Sequence, residues 1–228
     1  EPFHSSLASV FRKGREEIRV LSKYPAIAPS VFSQRELLGR GYEEVFVLPL
    51  LVDFDRLRKS ADSPSGVSVV ERYGDDTTTW LAVGRIAPNK RYENVLKAFA
   101  YYHHVINANS RLLFVGGSRH FEAYEFNLNR LAAQFGIDQA VEWCGWVAYE
   151  DGFAAYYQVA SVFITMSEHE GFCIPLVEAM TFDVPIVASA SAAIPHTLGH
   201  AGVLIHRKHY ESIAGLVDEL DKDSGLQC

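Results

Sequence analysis

From Thr77 onward, short β-branched or apolar runs alternate with longer segments of helical period, and no other feature of the chain limits its fold so sharply. The strand candidates are residues 79–83, 111–115, 141–144, 162–165, 185–188 and 203–205. Between them lie helix candidates at 92–105, 121–134, 152–158, 175–182 and 210–220. Such alternation predicts an α/β fold, a Rossmann-like parallel sheet with helices on both faces. Several predicted strands run into glycine or serine, as in Val83-Gly84-Arg85 and Val115-Gly116-Gly117-Ser118. Glycine there permits tight turns and close backbone approach at the carboxyl edge of the sheet, where open α/β sheets bind ligands.

The first 55 residues repeat the pattern on a smaller scale, with a strand at 26–28, a helix at 31–39 and a strand at 45–48 ending at Pro49. Residues 59–76 are polar and weakly periodic, and read as a linker or exposed loop. A boundary is therefore expected near Leu51–Asp55, with residues 1–52 ending one domain and 53–228 forming another. The chain opens inside a helical pattern (Glu1–Lys23) and closes on a polar, helix-starting stretch (Asp221–Cys228), so the reading expects a piece of a longer protein.

Charge and composition narrow the function classes. A net charge of −7 with no basic block disfavours nucleic-acid binding. No apolar run approaches the roughly 20 residues that span a bilayer. Glu1-Pro2-Phe3-His4 has no signal-peptide pattern, and Cys144, Cys173 and Cys228 have neither zinc-ligand spacing nor a disulfide framework. A soluble, cytoplasmic protein is the expectation.

Two segments could carry chemistry. In Gly84-Arg85-Ile86-Ala87-Pro88-Asn89-Lys90, two cations lie five residues apart on the loop after a strand. A forked guanidinium and a mobile ammonium together suit a diphosphate, although solvated loop cations are common. In Ser167-Glu168-His169-Glu170-Gly171-Phe172-Cys173-Ile174-Pro175-Leu176-Val177-Glu178-Ala179-Met180, three acids flank an apolar loop leading into a helix that Pro175 is suited to open. The positive end of that helix suits an anion. Glu178, expected in its first turn, could accept bonds from a ribose diol or merely complement the helix dipole. Glu170 could reach a sugar hydroxyl or stand as an exposed loop acid.

Glu170 and Glu178, seven residues apart within Ser167–Met180, resemble the E-x7-E motif of the retaining family-4 glycosyltransferases of the GT-B fold. The wording is most similar to bacterial members that build cell-surface polysaccharides. Further blocks follow in order: Val83-Gly84-Arg85 with Lys90, Trp143-Cys144-Gly145-Trp146-Val147, Val184-Pro185-Ile186-Val187-Ala188-Ser189 and Ala201-Gly202-Val203-Leu204. The resemblance covers about residues 79–220 and implies the carboxyl-terminal, nucleotide-sugar-binding domain, preceded by a remnant of the amino-terminal domain.

The resemblance also implies roles. Arg85 and Lys90 would hold the donor diphosphate and stabilise charge developing on it, and Glu170 would position the transferred sugar. Glu178 would bind the ribose, Gly145, Trp146 and Val147 would lie along the base, and the backbone of Gly171, Phe172, Cys173 and Ile174 would approach sugar and phosphate. The implied donor is a UDP-, GDP- or ADP-sugar, the activity hexosyl transfer with retention, and the acceptor a glycan or lipid-linked sugar selected by the other half, which would also make any peripheral membrane contact. No metal and no cofactor are implied, and the isolated chain is expected to be inactive. A non-catalytic nucleotide-sugar-binding module and a GT-B sugar-nucleotide epimerase are the alternative readings.

Three positions depart from the family pattern: Cys173 for a common glycine, Thr181-Phe182-Asp183 for Ala-x-Gly, and His196 for a common Glu. Of the remaining aromatics, at least one of Trp143 and Trp146 is expected in the core, and Tyr101, Tyr102, Tyr156 and Tyr157 are expected to pack against the sheet. His103 and His104 read as residues of a helix, and Gly116-Gly117-Ser118 as a simple turn.

Overall fold

The computed structural model describes Gly14 and residues 16–222, and the chain falls into two compact units divided between Leu51 and Val52. In the first unit, β1 (Ala26–Ala28) and β2 (Val45–Val47) pair in parallel around α1 (Val31–Gly39). The Ser30 hydroxyl caps α1 by accepting from Ser33 N at 3.1 Å, and Gln34 Nε2 donates to Val45 O at 2.6 Å. Residues 16–21 are helical, while residues 1–13 of the helical pattern expected at the start, and 223–228 of the polar stretch expected at the end, lie outside the described residues.

The second unit is built on six parallel strands, β3 (Thr78–Val83), β4 (Ser110–Val115), β5 (Val141–Gly145), β6 (Val162–Thr165), β7 (Ile186–Ser189) and β8 (Val203–Ile205). Their order in the sheet is β5-β4-β3-β6-β7-β8, so the chain winds outward from β3 in one direction and from β6 in the other. This is the doubly wound order 3-2-1-4-5-6 of dinucleotide-binding folds. Both faces are covered, which explains why the strands read as continuous apolar runs. On one face Trp80, Ala82, Leu112, Phe114, Val162, Ile164 and Val187 meet α4 (Tyr92–Tyr101), α5 (Glu122–Gln134) and α9 (Tyr210–Lys222). On the other, Leu81, Leu113, Val115, Phe163, Ile186 and Ala188 meet α2 (Phe54–Ala61), α3 (Pro64–Tyr73), α6 (Ala155–Gln158), α7 (Ile174–Thr181) and α8 (Ile194–Leu198).

The stretch expected as a polar linker, residues 59–76, is instead most of two helices. Asp53 caps α2 by accepting from Arg56 N at 3.0 Å, and Ser63 caps α3 by accepting from Gly66 N at 3.1 Å, with Pro64 in the first turn. The buried face is made largely of small residues, Ser60, Ala61 and Gly66, beside Leu57 and Tyr73. A Cβ at Gly66 would lie 2.1 Å from Ala61 O, so the two helices meet backbone to backbone. Hydrophobic periodicity misses such a contact, because little apolar side chain is used to make it.

Two boundaries also moved. The helix expected over 92–105 turns into a π segment (Tyr102–Ile106), in which Asn107 N bonds Tyr102 O at 2.9 Å while the Tyr102 ring is buried 5.2 Å from Trp80. The one expected over 152–158 begins three residues later, because Gly152 takes a left-handed conformation (φ 81°) that ends the turn Tyr149–Asp151. Among the described residues, no helix is long and apolar enough to cross a membrane.

Candidate functional site

Neighbouring strands β3 and β6 are where the winding reverses, and in open α/β sheets that switch point opens a crevice at the carboxyl edge. The two segments singled out in the sequence are the loops leaving those two strands. Three hydrogen bonds hold them together: Ser167 Oγ donates to Asn89 O at 3.1 Å, Glu168 N to Asn89 O at 2.9 Å and Asn89 Nδ2 to His169 O at 3.2 Å. Each such bond contributes about 1 kcal/mol net, so together they fix the crevice walls before any ligand arrives.

Across the crevice, Lys90 Nζ lies 2.5 Å from Glu170 Oε1, with side chains only 14% and 12% exposed. Lys90 closes the 3-10 turn Pro88–Lys90 and folds over Gly84. A Cβ on Gly84 would come within 3.1 Å of Lys90 Cε and Nζ, which could shift aside, but Gly84 sits at φ 138°, a backbone conformation that favours glycine. Tyr92 Oη donates to Gly84 O at 3.0 Å and anchors the same turn. Arg85 is placed differently. It is exposed, its guanidinium lies 5.2 Å over the Phe121 ring, and among the described residues it enters no ion pair. Lys90 thus has its charge balanced by Glu170, whereas Arg85 offers an unbalanced cation beside it in sequence.

The entry to α7 is shaped by Cys173, which adopts a left-handed conformation (φ 71°) at the helix N-cap. Its thiol is buried and pushed up to about 12, chiefly by desolvation, so it is held as a thiol and is no nucleophile. The helix opens at Ile174, one residue before the expected Pro175. Behind the loop stands α8, which the sequence reading did not anticipate: Thr197 Oγ1 donates to Phe172 O at 2.6 Å and Ala193 N to Glu170 O at 3.3 Å. The loop is therefore held by Asn89 at Ser167–His169 and by Ala193 and Thr197 at the Glu170 and Phe172 carbonyls. His196 of α8 is exposed.

Glu178 requires a correction. It lies in the second turn of α7, there is no acid in the first turn, and it is 3% exposed. Neither a dipole-complementing surface charge nor an open first-turn acceptor describes it. Tyr157 Oη donates to its Oε2 at 2.7 Å, and Tyr149 Oη donates to its Oε1. Burial raises the Glu178 pKa, while the two phenol bonds, which favour the carboxylate, pull it back down.

On the far side, β5 ends at Gly145 (φ 71°), whose carbonyl accepts from Gly116 N at 2.8 Å. The turn at Gly116 is more than a simple one, because a Cβ there would lie 2.0 Å from Gly84 O. The ends of β3 and β4 are packed backbone on backbone. Trp146 is 76% exposed, whereas Val147 packs into the core and Trp143 stacks on Phe114 with centroids 4.3 Å apart. Tyr102, Tyr156 and Tyr157 are core residues, and the last also holds Glu178. His103 Nδ1 pairs with Ser110 Oγ and His104 Nε2 with Phe135 O, both away from the crevice strands' ends.

Residues 70–227 match the family described as glycosyl transferases group 1. The chain belongs to this family. It is 28% identical over 148 residues to the O-antigen chain mannosyltransferase B of Escherichia coli, covering 63% of this chain and 37% of that one. It is 23% identical over 227 residues to the N-acetyl-alpha-D-glucosaminyl L-malate synthase of Bacillus anthracis, covering 97% of this chain and 55% of that one. The fold is shared with the crystal structure of Anabaena Alr3699/HepE in complex with UDP-glucose, at a TM-score of 0.76 and 17% identity, over 93% of this chain and 60% of that chain. This glycosyltransferase-family chain therefore spans about a third to three fifths of the length of the relatives it matches. Its six-stranded parallel sheet, covered on both faces, is the architecture expected from the sequence.

Proposed function

We propose that this chain carries the donor-binding half of a hexosyltransferase that moves a sugar from a nucleoside diphosphate to a glycan or lipid-linked acceptor with retention. The observation that supports it most is the Lys90–Glu170 pair spanning the switch-point crevice, with Arg85 on the same loop stacked over Phe121 and, among the described residues, in no ion pair. Arg85 and Lys90 take the diphosphate, and Glu170 shares Lys90 with it while accepting hydroxyls of the transferred sugar. The phosphate lies toward the start of α7, whose dipole adds positive potential. Trp146 with Gly145 and Val147 bounds the base, and Glu178 serves the ribose.

In the transfer step the bond between the anomeric carbon and the phosphate oxygen breaks and charge grows on the departing diphosphate. Arg85 and Lys90 offset that charge where it develops, which is the larger part of what this half contributes to rate. The acceptor oxygen bonds the same carbon on the same face, and its proton passes to the departing phosphate. Because the cations do the charge work, the reading needs no metal and no cofactor. The acceptor, a glycan of the cell-surface type, and any contact with the inner membrane fall to the rest of the protein, and the chain by itself is expected to transfer no sugar. The UDP-glucose complex of the Anabaena neighbour favours UDP as the first donor base to test, followed by GDP and ADP.

Titration calorimetry against UDP-, GDP- and ADP-sugars tests the assignment. Binding of one series, weakened at least tenfold in Arg85→Ala and Lys90→Ala, is the expected result; no binding by a folded chain overturns it.

A further inference from the structure

Glu178 is enclosed, yet the ribose role given to it above requires an oxygen that a diol can reach. Of its two phenol partners, Tyr157 is 1% exposed and fixed in the core between Phe153 and Phe163. Tyr149 is only half-buried and stands on the short turn Tyr149–Asp151, three residues beyond the exposed Trp146 that follows the end of β5. Positive-φ glycines stand on both sides of the turn, Gly145 (φ 71°) four residues before Tyr149 and Gly152 (φ 81°) directly after Asp151. Arg56 of α2 holds the turn from outside: its guanidinium sits 5.9 Å over the Tyr149 ring and is ion-paired with Glu150, both of these charged side chains being more than half exposed. The ion pair is weak in water, so it latches the turn without locking it.

We propose that Tyr149 is a gate on the ribose subsite, its hydroxyl standing in for a ribose hydroxyl on Glu178 until the nucleotide displaces it. The inference rests on the donor-site reading. The phenol O–H and a diol O–H are equivalent donors to the same carboxylate oxygen, so exchange keeps Glu178 satisfied throughout. What the free protein loses on opening is the Tyr149 bond and its contact with Arg56, and every diol-bearing nucleotide must overcome that loss. A nucleotide lacking the diol gains nothing at Glu178 and has no reason to open the gate.

The experiment is calorimetric binding of UDP, GDP and ADP and their 2′,3′-dideoxy counterparts to wild type, Tyr149→Phe and Arg56→Gln, with thermal unfolding to confirm the fold. Tyr149→Phe leaves Glu178 one donor short in the free state, so the ribonucleotide should bind about fivefold tighter while its dideoxy counterpart is unchanged. Arg56→Gln, which touches nothing at Glu178, should shift the ribonucleotide in the same direction by about twofold. Equal changes for ribo- and dideoxy-nucleotides, or no change in either variant, overturn the gate while leaving the donor site standing. If wild type binds no nucleotide, the donor site falls and the gate with it.

Discussion

Replacing Lys90 by methionine keeps the length and apolar stem of the side chain and removes its charge from beside Glu170. The pair is short, at 2.5 Å, and both side chains are nearly enclosed, at 14% and 12% exposure. Breaking a fully buried pair from one side typically costs 3–5 kcal/mol, because the other charge is left uncompensated, while exposed pairs are worth under about 1 kcal/mol. The residual exposure here places Lys90→Met between those limits, at about 2 kcal/mol. For a domain of this size that corresponds to a fall in melting temperature of roughly 4–8 °C. Glu170→Gln alone should destabilise less, because an ammonium on a flexible stem can swing to solvent. The double variant Lys90→Met/Glu170→Gln has no stranded charge and should recover at least half of the loss. Urea unfolding of the four proteins gives the coupling directly. Single-variant effects that add to within about 0.5 kcal/mol would mean that the pair is no unit, and the argument from it would fail.

Three further outcomes follow from the same geometry. Gly116→Ala should destabilise by about 3 kcal/mol, since its Cβ would lie 2.0 Å from Gly84 O and φ is 151°, and a wild-type unfolding curve would refute the backbone-on-backbone packing of β3 and β4. Asp183→Gly should stabilise by about 0.5 kcal/mol, because Asp183 holds a left-handed φ of 54° that glycine adopts without steric cost; a lower melting temperature would contradict this. Glu178→Gln should flatten the pH dependence of stability. Burial raises the carboxyl pKa above its unfolded value near 4.3, so the folded state binds the proton more tightly. The stabilisation from that proton is complete below the unfolded value and lost as pH rises through the folded one. Identical slopes for wild type and Glu178→Gln across that interval would show that Glu178 is not desolvated as described.

The sheet was legible because its strands are buried on both faces and leave continuous apolar runs; Val162–Thr165 and Val203–Ile205 stand where expected, and the others within a residue at either end. Helices α2 and α3 were not, because Ser60, Ala61 and Gly66 pack by being small rather than apolar. The short α8, with five residues, carries too little periodicity to register. Within the site, residue types and loops were readable, whereas pairings were not: Lys90 and Glu170 are 80 positions apart, and spacing alone says nothing of which cation meets which acid. Glu178 shows the limit most clearly. Its role was inferred from a motif, but its burial and its two phenol partners, 21 and 29 residues away, come from the tertiary fold alone. Tyr157 was expected only to pack.

The central claim is that a nucleoside diphosphate occupies the crevice between β3 and β6. Backbone amide NMR of the chain during titration with UDP, GDP and ADP tests it most directly. The account predicts that one of them shifts Gly84, Arg85 and Lys90 together with Gly145–Val147 and Gly171–Ile174. The cavity of about 410 Å³ at the amino ends of β7 and β8, lined by Pro185, Ile186 and Val203, should stay silent. Shifts confined to that cavity, or none in a folded protein, would contradict the account.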